Sequence, residues 1–396
     1  MSVVRFGATR SETRRWCGTG CAGGTDPRLA GRLATAEATD GRTAELLVVF
    51  APPALSEADL LAGVAEAAQG TPVIGCSAAS QISDHGVSDD QVVVLALGGE
   101  GFTAAIAAAQ GHGDARAVGR SIADALRDPG EPGTTAIVLT STLTGDQSEL
   151  VRGAYGVLGG GVPLVGGCAG ACPAPSTSRQ FHGTSLVQDG AVGARLRSDG
   201  AVGIGVDHGY QRIGRPMVVT RAQGGEVLEL EGRPALDVYL EALGLEPDTA
   251  PHPQGFSAFA VGRPLLVNRH HGVPPARCIS GADYARRSLR CVAGVPQGSI
   301  VFAASTDTTA TLRAARRACR RALEGLGGRP PRALLIFDSL DRRHLLGASD
   351  TAREFEIFRE AAGGAPVAGL YTLGEIARIR GISGFHNTAV VTVAIG

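Results

Sequence analysis

Four residues near the end of the chain have side chains suited to holding a small molecule. Tyr371 and Glu375 follow the apolar run Ala365–Leu370, and His386-Asn387 opens the last apolar stretch. A tyrosine offers a flat wall with a polar tip, and a carboxylate can hold an ammonium or guanidinium group. Imidazole and amide add further donors and acceptors. Glu375 could instead cap a helix, and His386-Asn387 could satisfy only the loop backbone. Two earlier stretches have the same punctuation with smaller side chains, Gly75-Cys76-Ser77 and Gly166-Gly167-Cys168. There glycine lets a backbone approach a ligand and present its N–H groups, while thiol or hydroxyl can hydrogen-bond. Equally, these glycines could serve tight turns between packed layers.

Other chemistries are excluded. The 396-residue chain has no lysine, so all 37 basic residues are arginine. No P-loop lysine, Schiff-base lysine or kinase strand lysine exists. No G-x-S-x-G, no H-E-x-x-H and no dinucleotide G-x-G-x-x-G after a first strand occurs. The pairs Cys17/Cys21 and Cys168/Cys172 are spaced C-x3-C, which is not a zinc-ribbon or thioredoxin spacing. One catalytic arrangement stays open, a nucleophile at Cys76 or Cys168 with His386 as base. The formal charge of −1 provides no basic surplus for nucleic acid. With no signal pattern and no apolar run of spanning length, the expectation is a cytoplasmic protein away from the membrane, its cysteines reduced.

These residues must be positioned by strands and helices, and the pattern supplies three β-α-β units. The apolar strands Glu45–Phe50, Thr135–Thr140 and Arg332–Phe337 each lead to a helical pattern. A short strand that opens on Pro72, Pro163 or Pro366 and ends in Gly75, Gly166 or Gly369 follows. Three copies with one punctuation predict an internal repeat, with the candidate residues at the carboxyl ends of parallel strands where ligands bind. Gln91–Leu97 and Phe102–Ala109 read as adjacent antiparallel strands, and Asp189-Gly190 and Asp199-Gly200 predict a meander over 184–207. Strands are expected around Ala258–Val267 and Ala276–Ser280. The helix Thr308–Leu326 bears Arg313, Arg316, Arg317, Arg320 and Arg321, read as a solvated basic face. The proline-rich stretch 245–256 reads as a linker. The expectation is an α/β protein of mixed sheets with β-α-β repeats and β-hairpins, in two domains: an arm and lead-in helix at 1–43, then 44–244 and 245–396.

These segments together resemble the FIST family of sensory proteins, with N-terminal and C-terminal FIST domains. The resemblance covers roughly 45–396 and rests on Val227–Pro234 with Asp237-Val-Tyr239, on Val162–Gly167, on His208-Gly-Tyr210, and on Gly369–Glu375 with Phe385-His386-Asn387. It implies a sensor of small molecules in signal transduction, amino acids or related metabolites being the proposed ligands. With no output module evident, signalling is expected to pass to a separate partner protein. Some relatives bind haem and sense nitric oxide; that alternative makes His208 or His182 the axial ligand. One departure is visible: relatives usually carry a cysteine where this chain has Asp338, ahead of Arg342-Arg343. If that cysteine only packs, Asp338 needs a partner.

Overall fold

A computed structural model describes residues 15–53, 55–111, 113–128, 133–170, 179–246, 251–269, 272–379 and 384–396. Two features noted in the sequence lie outside these: the first residues of the arm and Cys172.

Three runs of elements follow one order. The first is β1 (Trp16–Ala22), α1 (Pro27–Thr39), β2 (Ala44–Ala51), α2 (Glu57–Ala68) and β3 (Val73–Ser77), then a hairpin of β4 (Gln81–Ser83) and β5 (Gly86–Ser88), and β6 (Val92–Gly98). The second is β7 (Phe102–Gln110), α3 (Ala115–Leu126), β8 (Thr134–Ser141), α4 (Gln147–Leu158) and β9 (Leu164–Ala169), a hairpin of β10 (Gln180–His182) and β11 (Ser185–Val187), and β12 (Gly190–Ser198). The third opens on β13 (Val202–Asp207) and is interrupted by an inserted module. That module contains β14 (Gln211–Gln223), β15 (Glu226–Leu230), β16 (Arg233–Pro234), α5 (Ala235–Ala242) and α6 (Phe256–Val261). It continues through β17 (Leu265–Val267), β18 (Ala276–Arg277), β19 (Ile279–Asp283), β20 (Ser288–Cys291) and β21 (Ile300–Ser305). The third run then resumes with α7 (Thr308–Glu324), β22 (Ala333–Ser339), α8 (Leu340–Ala362), β23 (Val367–Thr372), the hairpin β24 (Glu375–Arg378) and β25 (Phe385–His386), and β26 (Val390–Ile395).

Each β-α-β pair is parallel, β2 with β3, β8 with β9 and β22 with β23, as the apolar runs and helix patterns require. Local chemistry sets the helix starts. Asp26 caps α1 by accepting from the Leu29 N–H, ahead of Pro27, and Asp146 caps α4 by accepting from Ser148. Ser56 stands at the N-cap of α2 but makes no cap bond with its side chain.

The hairpins tie the sheets together. The first sheet, β1-β6-β2-β3, is extended by β10-β11 of the second run. The second, β7-β12-β8-β9, is extended by β24-β25 of the third, and the third, β13-β26-β22-β23, by β4-β5 of the first. The exchange closes a ring. Alternation along the strands then gives each sheet two buried faces: Leu46, Val48 and Phe50 join Leu139, Val165, Leu335 and Phe337 in one common core. The opposite faces pack under separate helix pairs, α1 and α2, α3 and α4, and α7 and α8.

Several local expectations change. β6 and β7 are not partners but belong to different sheets, and the segment 184–207 sends β11, β12 and β13 to three sheets rather than forming a meander. A glycine-rich corner between sheets and a hairpin turn look alike in sequence. Trp16–Ala22, taken as part of an arm, is an edge strand on β6. The first half of Ala258–Val267 is helical, in α6. On α7, Arg317 and Arg321 are not simply solvated, since both pair with the buried carboxylate of Asp207, at 2.8 and 3.0 Å. The 244/245 line falls between α5 and α6, inside the inserted module, and β4–β23, β9–β24 and β13–β26 pair across it.

Candidate functional site

The two glycine-cysteine stretches sit inside strands rather than in open loops. A Cβ on Gly75 would lie 2.1 Å from the Val49 carbonyl oxygen, and one on Gly166 (φ +145°) 1.8 Å from that of Val138. On Gly167 it would meet the Thr372 methyl at 2.5 Å. These contacts are packing between neighbouring strands. Ser77 is buried, and its hydroxyl accepts from the Arg179 N–H at 2.9 Å. Burial pushes the Cys168 thiol up to about 12 and that of Cys76 higher still, against thiolate formation at neutral pH.

The late stretch divides. Tyr371 packs on the helix side of the third sheet, beneath the Arg343 guanidinium at 5.4 Å, and its hydroxyl has no partner among the described residues. Glu375 points to the other face of the hairpin from Ile376, which packs under α3 and α4. It pairs in register with Gly167 on one side and His386 on the other. Its carboxyl accepts from the Thr372 hydroxyl at 2.7 Å and the Ala389 N–H at 2.9 Å. Burial nonetheless raises it well above the usual carboxylate range. The structure thus brings together Gly167, Cys168, Glu375 and His386, with Tyr371 on the opposite face of its sheet.

His386 and Asn387 are each 2% exposed, and Nδ1 of the one and both amide atoms of the other lack partners among the described residues. Desolvation lowers His386 to about 3, with contributions from Arg269, Arg277 and His208. Thr388 next to them is buried at φ +55°, a left-handed conformation unusual for a β-branched residue. Buried donors and acceptors with no partner among the described residues, beside a strained backbone, make this the candidate site.

The inserted sheet supplies the other wall. Arg277 on β18 is 6% exposed and reaches across to donate to the Phe385 carbonyl at 3.2 Å. Ahead of β18, Val273 packs against the common core, and the Pro274 carbonyl meets His208 Nε2 at 2.9 Å. Tyr210 donates its hydroxyl to the Val261 carbonyl at 3.0 Å. Sequence reasoning passed over Arg277 and Arg269. The available signal was a charged residue amid the apolar strand Pro275-Ala-Arg277-Cys-Ile279.

Comparison with known proteins decides the family. A model of the FIST N domain matches residues 45–233 and one of the FIST C domain matches 235–378. The chain belongs to the FIST family. FIST domains are sensory domains of signal transduction that bind small ligands, and here the two occur in tandem. Uncharacterised proteins of Mycobacterium tuberculosis and Mycobacterium bovis are each 29% identical over 232 residues, 57% of this chain. The chain spans 59% and 58% of the length of those relatives. An uncharacterised protein of Methanocaldococcus jannaschii is 28% identical over 187 residues, 43% of this chain and 35% of its own. Among solved structures, cyanuric acid hydrolase from A. caulinodans aligns over 48% of this chain and 72% of its own at 12% identity. Its TM-score of 0.26 is too low to argue from.

Two features of this FIST protein bear on its ligand. Asp338 has the partner that burial demands: Arg342 Nε donates to it at 2.7 Å, and the same guanidinium pairs with Glu354. All three are buried where α8, which carries Arg342 and Glu354, covers β22 and Asp338. His208 does not fit an axial haem ligand. Its Nδ1 accepts from the Tyr210 N–H at 2.9 Å while Nε2 meets Pro274, so both ring nitrogens are engaged. Half-buried His182 lies in β10, paired between Ile74 and Ser185. No helix among the described residues is long and apolar enough to cross a membrane.

Proposed function

We propose that this FIST protein is a cytoplasmic small-molecule-binding sensory module rather than an enzyme, with an amino acid or related metabolite as ligand. The ligand lies where the β25–β26 loop faces the inserted sheet and needs no cofactor. The observation that carries this is the set of atoms on His386 and Asn387, 2% exposed each, that have no partner among the described residues. Burying such groups without partners costs about 1–3 kcal/mol each, a penalty that a bound ligand removes. Ordering this loop against β18 changes how the inserted sheet meets the three-sheet centre, and a separate partner protein reads that change.

The test is a thermal-shift screen over amino acids and small carboxylates. A true ligand raises the melting temperature with a saturable concentration dependence, and Asn387→Ala abolishes the shift while leaving the fold intact by circular dichroism. A screen without any hit, or hits indifferent to Asn387→Ala, overturns the assignment.

A further inference from the structure

The donors of Arg277 can be counted. Guanidinium carries five N–H groups. Nε goes to the Gly294 carbonyl at 3.0 Å, and Nη1 to the carbonyls of Ala276 at 3.1 Å and Phe385 at 3.2 Å. That leaves the two hydrogens of Nη2 without an acceptor among the described residues. No carboxylate among them lies within ion-pair distance of Arg277, although only 6% of the residue is exposed. The acid whose charge it feels most, Asp146, is occupied by the N–H groups of Ser148 and Gly294. Arg342, buried on the helix side, holds Asp338 and Glu354 at once, whereas buried Arg378 has no ion pair among the described residues and lies over the Tyr155 ring.

The surroundings share the same imbalance. Arg269 is the charge that His386 feels most strongly, and it too has no ion pair among the described residues. Glu375, the acid paired with His386 across the hairpin, spends both oxygens on Thr372 and Ala389 and is pushed toward its neutral form by burial. Buried Arg277 and half-buried Arg269 therefore act on each other and on His386 with no counter-charge among the described residues. A buried unpaired charge is costly, and a small anion offsets that cost.

We infer that Nη2 of Arg277, with Arg269 beside it, is the seat of a carboxylate, and that the ligand also presents an O–H or N–H donor to His386. The second half follows from the imidazole. Neutral imidazole has one lone-pair nitrogen, and in the tautomer with its hydrogen on Nε2 the buried Nδ1, which has no partner among the described residues, is an acceptor. An acceptor in that position calls for a donor on the ligand. The amide of Asn387 can serve either way. A hydroxy- or amino-substituted short carboxylate fits this set, whereas a bare anion leaves Nδ1 unmatched and a neutral amide leaves Arg277 uncompensated.

This inference rests on the ligand-binding reading above, and the experiment separates the two. Acetate, glycolate and acetamide are titrated into the full chain by calorimetry, alongside whatever the metabolite screen yields. Glycolate is expected to bind more tightly than acetate, with no saturable heat from acetamide. Arg277→Gln weakens glycolate binding by roughly tenfold or more. Arg277→Lys keeps the charge and recovers part of the affinity, which a purely structural role of the three carbonyl contacts does not produce. Equal binding of acetate and acetamide, or glycolate binding unchanged in Arg277→Gln that is folded by circular dichroism, overturns the inference. A neutral screening hit lost in Asn387→Ala but kept in Arg277→Gln also overturns it, while leaving the binding site itself standing.

Discussion

His386 and His208 are buried imidazoles kept neutral by desolvation, the first lowered to about 3 and the second to about 4. Between those values and the ordinary imidazole value of about 6.5, the unfolded chain binds protons that the folded chain refuses. Stability therefore rises with pH across that window and is lost on acidification. His386→Gln removes one of the two sites. Its melting temperature is expected to fall less steeply than that of the unaltered protein from pH 7 to pH 4, as read by scanning calorimetry in matched buffers. Parallel curves would show that His386 titrates freely in the fold. Glu375 and Glu354, raised by burial, act in the opposite sense above the ordinary carboxylate value, but they are common to both proteins and cancel in the comparison. At this scale the sequence is a partial guide. Glu375 and His386 stand out as polar residues between apolar runs, and their side-by-side pairing follows from a hairpin. Arg277 touches the Phe385 carbonyl across 108 positions of chain, and no local pattern encodes that contact.

The strands and helices that hold these side chains were legible wherever the signal was local. An apolar run, a helical period and a proline-led strand give β2-α2-β3, β8-α4-β9 and β22-α8-β23. Sheet membership was not legible, because β6 and β7, separated by one turn of Gly98–Gly101, meet different partners for reasons set by the whole ring. The glycines within the middle strands prove to be spacing devices. Gly166 brings β9 against β8 so closely that an added methyl meets the Val138 carbonyl at 1.8 Å, and its φ of +145° disfavours any L side chain. Gly166→Ala is expected to destabilise the protein by about 1–3 kcal/mol through overpacking, measured by urea unfolding. Ligand affinity at His386 should change far less, since Gly166 meets Ile376 in register and Ile376 packs on the helix side. A selective loss of binding with unchanged stability would return Gly166 to the pocket.

Across the molecule, the hairpin exchange makes each sheet depend on another run of chain. Cutting the backbone in the inserted module should therefore not divide the protein. Residues 252–255 are exposed and lie between α5 and α6, and a protease site placed there gives two fragments. Across that cut β13 pairs with β26 over six residues, from Val202–Ile395 to Asp207–Val390. Gln81 and Ile82 of β4 pair with Leu370 and Gly369, and β9 pairs with β24 over four residues. β14 pairs with β21, and the common core draws side chains from both fragments. Separating the fragments would expose those apolar side chains at a cost of about 25 cal/mol per Å², which holds the fragments together. The nicked protein is expected to elute from a sizing column as one species and to melt in a single transition seen alike by circular dichroism and fluorescence. Two species, or two transitions, would mean that the tandem FIST domains are separable bodies. A ligand between β18 and His386 would then bridge domains instead of sitting within one body, and its affinity would fall on cleavage.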